Sequence, residues 1–327
     1  MFRIFRSTGI IVTLIILFCI LTWLHSLTNA TAYEESRYGM TGFRAISERL
    51  TNPSVVAAWC GFLFVMAEIA ALVFVNRFHL LNKTSGLPAL CYVLLIGGVP
   101  SIHLLDPAAI AAIFLTIAFA RLTISFRSER FSPEYFSAAI CIALATFFFR
   151  YAYFFMLMVW FCILFFRPGY WREWVSSLLG FFFPFFWLFC WHYLFEDNTT
   201  YVSGVFNEMF TFERVMPQLS ASFAVFAILC AVITVFSILY LFHRVRSQKI
   251  IVRNGYYLLM LMLMLSCMIT LIAPDTLPSA WYLLSVPPSF YLSYYLENSR
   301  SSFWNNAIIT LMVVVTCVIQ YIHFFFE

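Results

Sequence analysis

Charge is scarce in this sequence. Asp, Glu, Lys and Arg make up only 10% of its 327 residues, against about 25% in a soluble domain. Nineteen basic and 15 acidic side chains cannot cover a chain that is 63% hydrophobic and 20% aromatic, with Phe alone occurring 40 times. That scarcity excludes a soluble globular enzyme, a disordered protein and a nucleic-acid-binding module. The motifs of nucleotide and hydrolytic chemistry are missing too: there is no Walker loop, no Gly-x-Gly-x-x-Gly, no His-Glu-x-x-His and no Gly-x-Ser-x-Gly. ATP coupling within this chain is thereby excluded. No two of the nine cysteines form a Cys-x-x-Cys pair, and none has a His at zinc spacing. They read as small buried hydrophobes inside apolar runs. Ten-residue alternation of polar and apolar positions, the mark of a membrane β-barrel, is also lacking.

What is there is a series of long apolar runs. A helix needs about 20 mainly apolar residues to cross a bilayer. Eleven candidate spans follow, over roughly 9–28, 55–75, 88–104, 107–120, 134–149, 151–166, 174–195, 219–242, 255–273, 279–296 and 305–325. The expectation is an all-α polytopic transmembrane bundle of about eleven spans (range nine to twelve), a single membrane domain over 1–327. The first run follows Arg3 and Arg6 and exceeds a signal-peptide core, so it reads as an uncleaved anchor. With the N-terminus in the cytoplasm, 14 of the 19 Lys and Arg fall in cytoplasmic segments. Arg37, Arg44, Arg49, Arg150 and Arg214 fall outside, where most acids also gather. The net charge of +4 is therefore an orientation signal.

Two longer stretches lie outside: 29–54 and 196–218. In the first, Phe43, Ile46 and Leu50 share one face of a short amphipathic interfacial helix that Pro53 ends. Inside, the basic loop from His243 to Arg253 suits anionic lipid head groups. Pro and Gly mark irregular places. Gly97-Gly98-Val99-Pro100 comes late in the third span, Pro184 breaks the seventh, and Pro287-Pro288 makes the tenth kinked or discontinuous.

Few residues can carry chemistry. Glu68 is the carboxylate inside a span, midway along the second; it is a proton or ion site, or a protonated acid bonded to a neighbouring helix. Arg150 lies where spans five and six must turn, in Phe-Phe-Phe-Arg-Tyr-Ala-Tyr, which has no Gly, Pro or polar turn residue. A guanidinium at head-group depth grips the phosphate of a lipid carrier in a forked geometry, or snorkels to ordinary lipid phosphates. Glu34, Glu35 and Arg37 open the first outer loop. A carboxylate there acts as general base toward an acceptor hydroxyl, holds a divalent metal, or is simply a solvated loop acid. His103 and Asp106 join that outer cluster, or Asp106 caps the helix that Pro107 begins. His192 stands near the outer end of span seven among Trp and Tyr, as a proton donor or a structural group.

This layout resembles the membrane half of the GT-C class of glycosyltransferases, which use polyprenyl-phosphate-linked sugars. The likeness rests on a first span, an outer loop with an amphipathic helix (Thr41 to Leu50) and short paired helices after it. It continues through Ser137 to Phe166, Trp171-Arg172-Glu173-Trp174, Gly180 and Pro184. It implies that Glu34 or Glu35 is the base or metal partner and that Arg150 holds the lipid phosphate. The family's first-loop motif usually contains an Asp, and this loop has none. The phrases Asn76-Arg77-Phe78-His79-Leu80-Leu81 and Leu87-Pro88-Ala89-Leu90 also resemble small multi-span membrane proteins of Bacteroidota, which implies no particular activity. The expectation is a protein of a bacterial inner membrane that handles polyprenyl-phosphate-linked sugars at the outer face, as a glycosyltransferase or a degenerate relative. The alternative is a non-enzymatic transporter or a scaffold subunit of an envelope assembly. Transport predicts an internal repeat, and none is clear.

Overall fold

The computed structural model describes residues 40, 43, 54–79, 86–99, 105–126, 133–166, 171–195, 204–205, 207–209, 221–244, 248–299 and 302–326. The first expected span, Glu34, Glu35, Arg37 and His103 lie outside the described residues, as do most of both outer loops. Ten α-helices with defined bounds follow: α1 (Ser54–His79), α2 (Leu87–Ile96), α3 (Pro107–Ser125), α4 (Glu134–Phe148), α5 (Met156–Phe166), α6 (Trp171–Phe195), α7 (Ala221–Arg244), α8 (Ile250–Ile272), α9 (Leu277–Asn298) and α10 (Ser302–Phe326). Short 3-10 turns over Arg150–Phe155 and Pro274–Thr276 lead into α5 and α9. No strand occurs among the described residues. Among the described residues, five helices are long and apolar enough to cross a membrane: α1, α3, α6, α7 and α8. The shorter apolar helices α2, α4, α5 and α10 fill in around them.

α9 is the centre of the bundle. Its residues from Ser279 to Leu296 are almost all buried, including Ser285, Ser289 and Ser293 and the rings of Trp281, Tyr282, Tyr291, Tyr294 and Tyr295. It packs against α2, α3, α7 and α8. Each neighbour is tied to it by a polar bond. Trp281 Nε1 donates to the Leu95 carbonyl at 2.8 Å, and Ser279 Oγ donates to Asp106 at 2.6 Å. Tyr240 donates to the Asn298 carbonyl at 2.7 Å, and Tyr291 donates to the Tyr256 carbonyl at 3.2 Å. Buried polar groups need such partners, because lipid supplies none. The outer wall is the reverse. α6 exposes Phe182, Phe183, Phe186, Trp187 and Leu194, and α7 exposes Val225, Ile228, Val232 and Leu239. Hydrocarbon solvates these faces.

Three expected irregularities come out differently. α9 is unbroken through Pro287-Pro288, so the discontinuous reading is corrected. The two prolines remove the donors to the Leu283 and Leu284 carbonyls, but surrounding helices cover that stretch from lipid and the backbone continues. α6 likewise runs through Pro184 without a break. Four residues earlier, Gly180 lets α6 approach α4 closely: a Cβ there would stand 2.5 Å from the Phe136 carbonyl oxygen of α4. The third span, expected to reach residue 104, ends its helix at Ile96. Gly97-Gly98 forms the turn, and the Phe226 ring of α7 occupies the place a Gly98 Cβ would need.

Candidate functional site

The turn between α4 and α5 is made without glycine or proline. α4 ends at Phe148, and Phe149 takes an extended conformation (φ −118°, ψ 113°) before the 3-10 turn that Arg150 begins. An ordinary extended residue serves because apolar rings hold the reversal. Phe149, Tyr151 and Phe155 are fully buried, and the Tyr153 and Phe154 rings stack with centroids 4.4 Å apart. Arg150 is thus a half-buried guanidinium fixed at the tip of a rigid hairpin rather than on a loop. On the orientation expected from the Lys and Arg count, that tip faces outward.

The first outer loop docks on this hairpin. The backbone N–H of Met40 donates to the Phe148 carbonyl at 3.1 Å, and the Phe43 N–H donates to the Met40 carbonyl at 2.8 Å. The Met40 side chain is buried with Ala143, Phe185, Val205 and Met209, flanked by Phe147 and Tyr153. Phe43 is buried with Ala57, Leu105 and Ile110 against Phe148, whose ring stacks on Phe114. Residues of both outer loops, the hairpin and α6 therefore meet in one apolar cluster beside Arg150.

Asp106 is placed differently. It is the N-cap of α3, in extended conformation, and its Oδ1 accepts from the Ala108 N–H at 2.7 Å. Its other oxygen takes the Ser279 hydroxyl. Burial pushes its carboxyl up to about 6, while the hydrogen bonds from Ser279, Ala108 and Ala109 pull the other way. Of its two readings, the cap is what its oxygens are engaged in. His192 is buried on α6, three residues from its outer end.

Glu68 lies at the middle of α1 and is 1% exposed. Thr116 of α3 donates to its Oε1 at 2.6 Å. Its Oε2 is buried and makes no hydrogen bond among the described residues, and the same holds for the Tyr92 hydroxyl of α2. Sequence reasoning found Glu68 as a carboxylate in an apolar run. It missed Thr116, Tyr92 and Ser279, because a hydroxyl inside such a run carries no signal until its partner is known. Among the described residues, no three His, Cys, Asp or Glu side chains converge as metal donors.

A groove of about 570 Å³ separates α5 from α8, lined by Phe161, Cys162, Phe165, Tyr257, Leu261 and Met264. Its walls are almost wholly apolar.

The fold defines a multi-pass α-helical membrane protein. Within that class, residues 1–326 match the family described as "Family of unknown function (DUF6427)", and the chain belongs to that family. No curated protein matches the sequence. Among solved structures, the fold is similar to that of ArnT from Cupriavidus metallidurans, crystallised bound to undecaprenyl phosphate. The TM-score is 0.59 at 12% identity, over 94% of this chain. The chain spans 63% of the length of that structure. The likeness is one of fold, and it agrees with the GT-C layout expected from the sequence.

Proposed function

We propose that this protein handles a polyprenyl-phosphate-linked sugar at the outer face of a bacterial inner membrane, as a GT-C-like glycosyltransferase or a relative that has kept only the binding. The observation that carries the reading is the docking of Met40 on the Phe148 carbonyl. Arg150 is two residues from Phe148, and Glu35 is five residues from Met40. Five residues span at most about 17 Å, so the acids of the first loop are tethered within reach of the arginine hairpin. The ArnT-like fold, in a protein crystallised with undecaprenyl phosphate, supports the same reading.

In this reading Arg150 holds the carrier phosphate with a forked pair of charged hydrogen bonds, and Arg37 adds a second cation. Glu34 or Glu35 takes the proton from the acceptor hydroxyl. The acceptor oxygen bonds to the sugar's anomeric carbon as the bond from that carbon to the phosphate oxygen breaks. The carrier phosphate leaves as an anion that the guanidinium stabilises. His103, Asp106 and His192 line the outer cleft. The apolar groove between α5 and α8 takes part of the isoprenoid chain. Phe161 lies about 19 Å below Arg150 along the 3-10 turn and α5, within the length of a polyprenyl tail.

The test is binding and transfer by the full-length protein in lipid. Arg150→Ala is expected to weaken polyprenyl-phosphate binding by about 10- to 100-fold, the range for losing a hydrogen bond to a charged group. Glu34→Gln with Glu35→Gln is expected to abolish glycan transfer and leave carrier binding within about twofold, since loop acids make no attractive contact with phosphate. Unchanged carrier binding in Arg150→Ala overturns the reading.

A further inference from the structure

A buried polar site lies in the middle of the membrane, apart from the outer face. Glu68, Thr116 and Tyr92 come from three helices, α1, α3 and α2, and each is at most 1% exposed. Thr116 satisfies one oxygen of Glu68. The other oxygen, and the Tyr92 hydroxyl, are buried polar atoms with no hydrogen bond among the described residues. Glu68 and Tyr92 lie within electrostatic reach of each other. A buried acceptor or hydroxyl left in this state costs about 1–3 kcal/mol unless something takes its bond. A single water, or the acid's own proton, is the right size and chemistry.

The protonation state follows from what surrounds the carboxyl. Thr116 bonds to Glu68 from α3, and Tyr92 of α2 lies within electrostatic reach of it. Neither is a cation. On α1 itself the next charge is Arg77, nine residues on and about 13 Å along the helix. The Arg121 of α3 is ion-paired to Glu134 at 3.4 Å, at the far end of that helix. An ionised carboxylate at this depth has no counter-charge to offset its desolvation. A neutral acid needs none, and its proton gives Oε2 a donor for a bridging water or for Tyr92.

Electrostatic links run from the site toward the outer end of the bundle. Tyr92 lies within electrostatic reach of Tyr282 on α9, and Tyr282 within reach of Asp106. Asp106 is partly exposed at the outer end of α3 and is joined to Ser279, one turn before Tyr282. Thr116 lies ten residues after Asp106, about 15 Å along the helix, near the centre of a hydrocarbon core about 30 Å thick.

We propose that Glu68 is a proton-binding site at the membrane midplane, loaded from the outer face through Asp106, Tyr282 and Tyr92 with water between them. A proton enters at the Asp106 carboxylate. Each tyrosine hydroxyl accepts one proton and passes on its own, and Glu68 keeps the last, so no net charge is left on the path. The site shares Asp106 with the outer cleft of the carrier reading but uses none of Arg150, Glu34 or Glu35.

Infrared difference spectroscopy of the full-length protein in nanodiscs tests this. At pH 7 the wild type is expected to show the C=O stretch of a protonated carboxylic acid. The band shifts in deuterated water and is lost in Glu68→Gln. Tyr92→Phe is expected to shift that band and to slow its deuterium exchange by about tenfold, as for the loss of one bridging hydrogen bond. Asp106→Asn slows exchange and leaves the band where it is. If Glu68→Gln does not accumulate, Thr116→Val identifies the band instead by moving it. The proposal is overturned if the wild type lacks the band, or if Tyr92→Phe neither moves nor slows it. It is also overturned if the band emerges only when sodium and potassium are replaced by a bulky organic cation, for then Glu68 is a metal-cation ligand. None of these readouts depends on sugar transfer.

Discussion

Asp106 shows how much one residue at a helix start can hold. It caps α3 through the Ala108 amide and anchors α9 through Ser279. Its folded value of about 6 stands above the ordinary 3.8. The folded protein therefore keeps a proton that the unfolded chain releases, and stability falls as pH rises through about 4 to 6. Thermal unfolding of the solubilised protein is expected to follow that sign, with the unfolding temperature dropping across the window. Asp106→Asn, which keeps the capping oxygen, is expected to flatten the dependence. Asp106→Ala loses the cap as well, at a cost of about 1 kcal/mol, and leaves the Ser279 hydroxyl without its acceptor. Half of this was legible beforehand. Asp before Pro at a helix start is a local pattern. The serine lies 173 residues away, and nothing in its surroundings, Pro-Ser-Ala-Trp, sets it apart from any buried serine.

At the scale of elements, the apolar runs locate the helices because a helix in lipid must satisfy its own backbone, and only long apolar stretches can do so unaided. The ends were less legible. The third span stops at Ile96, since the Gly97-Gly98 turn lets the Phe226 ring reach the backbone. Proline was the most misleading signal. The expected breaks at Pro184 and Pro287-Pro288 assume that the freed carbonyls and the ring meet a hostile surrounding, and packed neighbours remove that condition. Gly180 makes the contact between α4 and α6 measurable. Gly180→Ala puts a methyl 2.5 Å from a backbone oxygen, which must move two helices. An overpacking loss of about 1–3 kcal/mol is expected, read as a lower unfolding temperature. Gly204→Ala is the control, because nothing lies within 4 Å of that position; it is expected to leave the unfolding temperature unchanged.

At the scale of the whole molecule, orientation decides which face Arg150 serves. The asymmetry of Lys and Arg predicts residues 243–253 in the cytoplasm and the 196–218 stretch outside. A periplasm-dependent phosphatase fused after Asn198 is expected to be active, and one fused after Gln248 inactive. The reverse result would turn the arginine hairpin inward and remove the outer-face reading. The layout of the site was legible in outline, from a lone arginine in an aromatic turn. The meeting of that turn with the first loop was not, because it runs through a backbone bond between Met40 and Phe148 that no side-chain pattern encodes. The central helix has one more consequence. α9 is as long as a span, yet it is absent from the five described helices apolar enough to cross a membrane, because serines and tyrosines line it. Alone in lipid it would partition poorly. Its partners α2, α3, α7 and α8 all precede it in the chain. During synthesis the ribosome therefore delivers the walls before the post. The post enters the membrane by leaving water for protein, not for lipid.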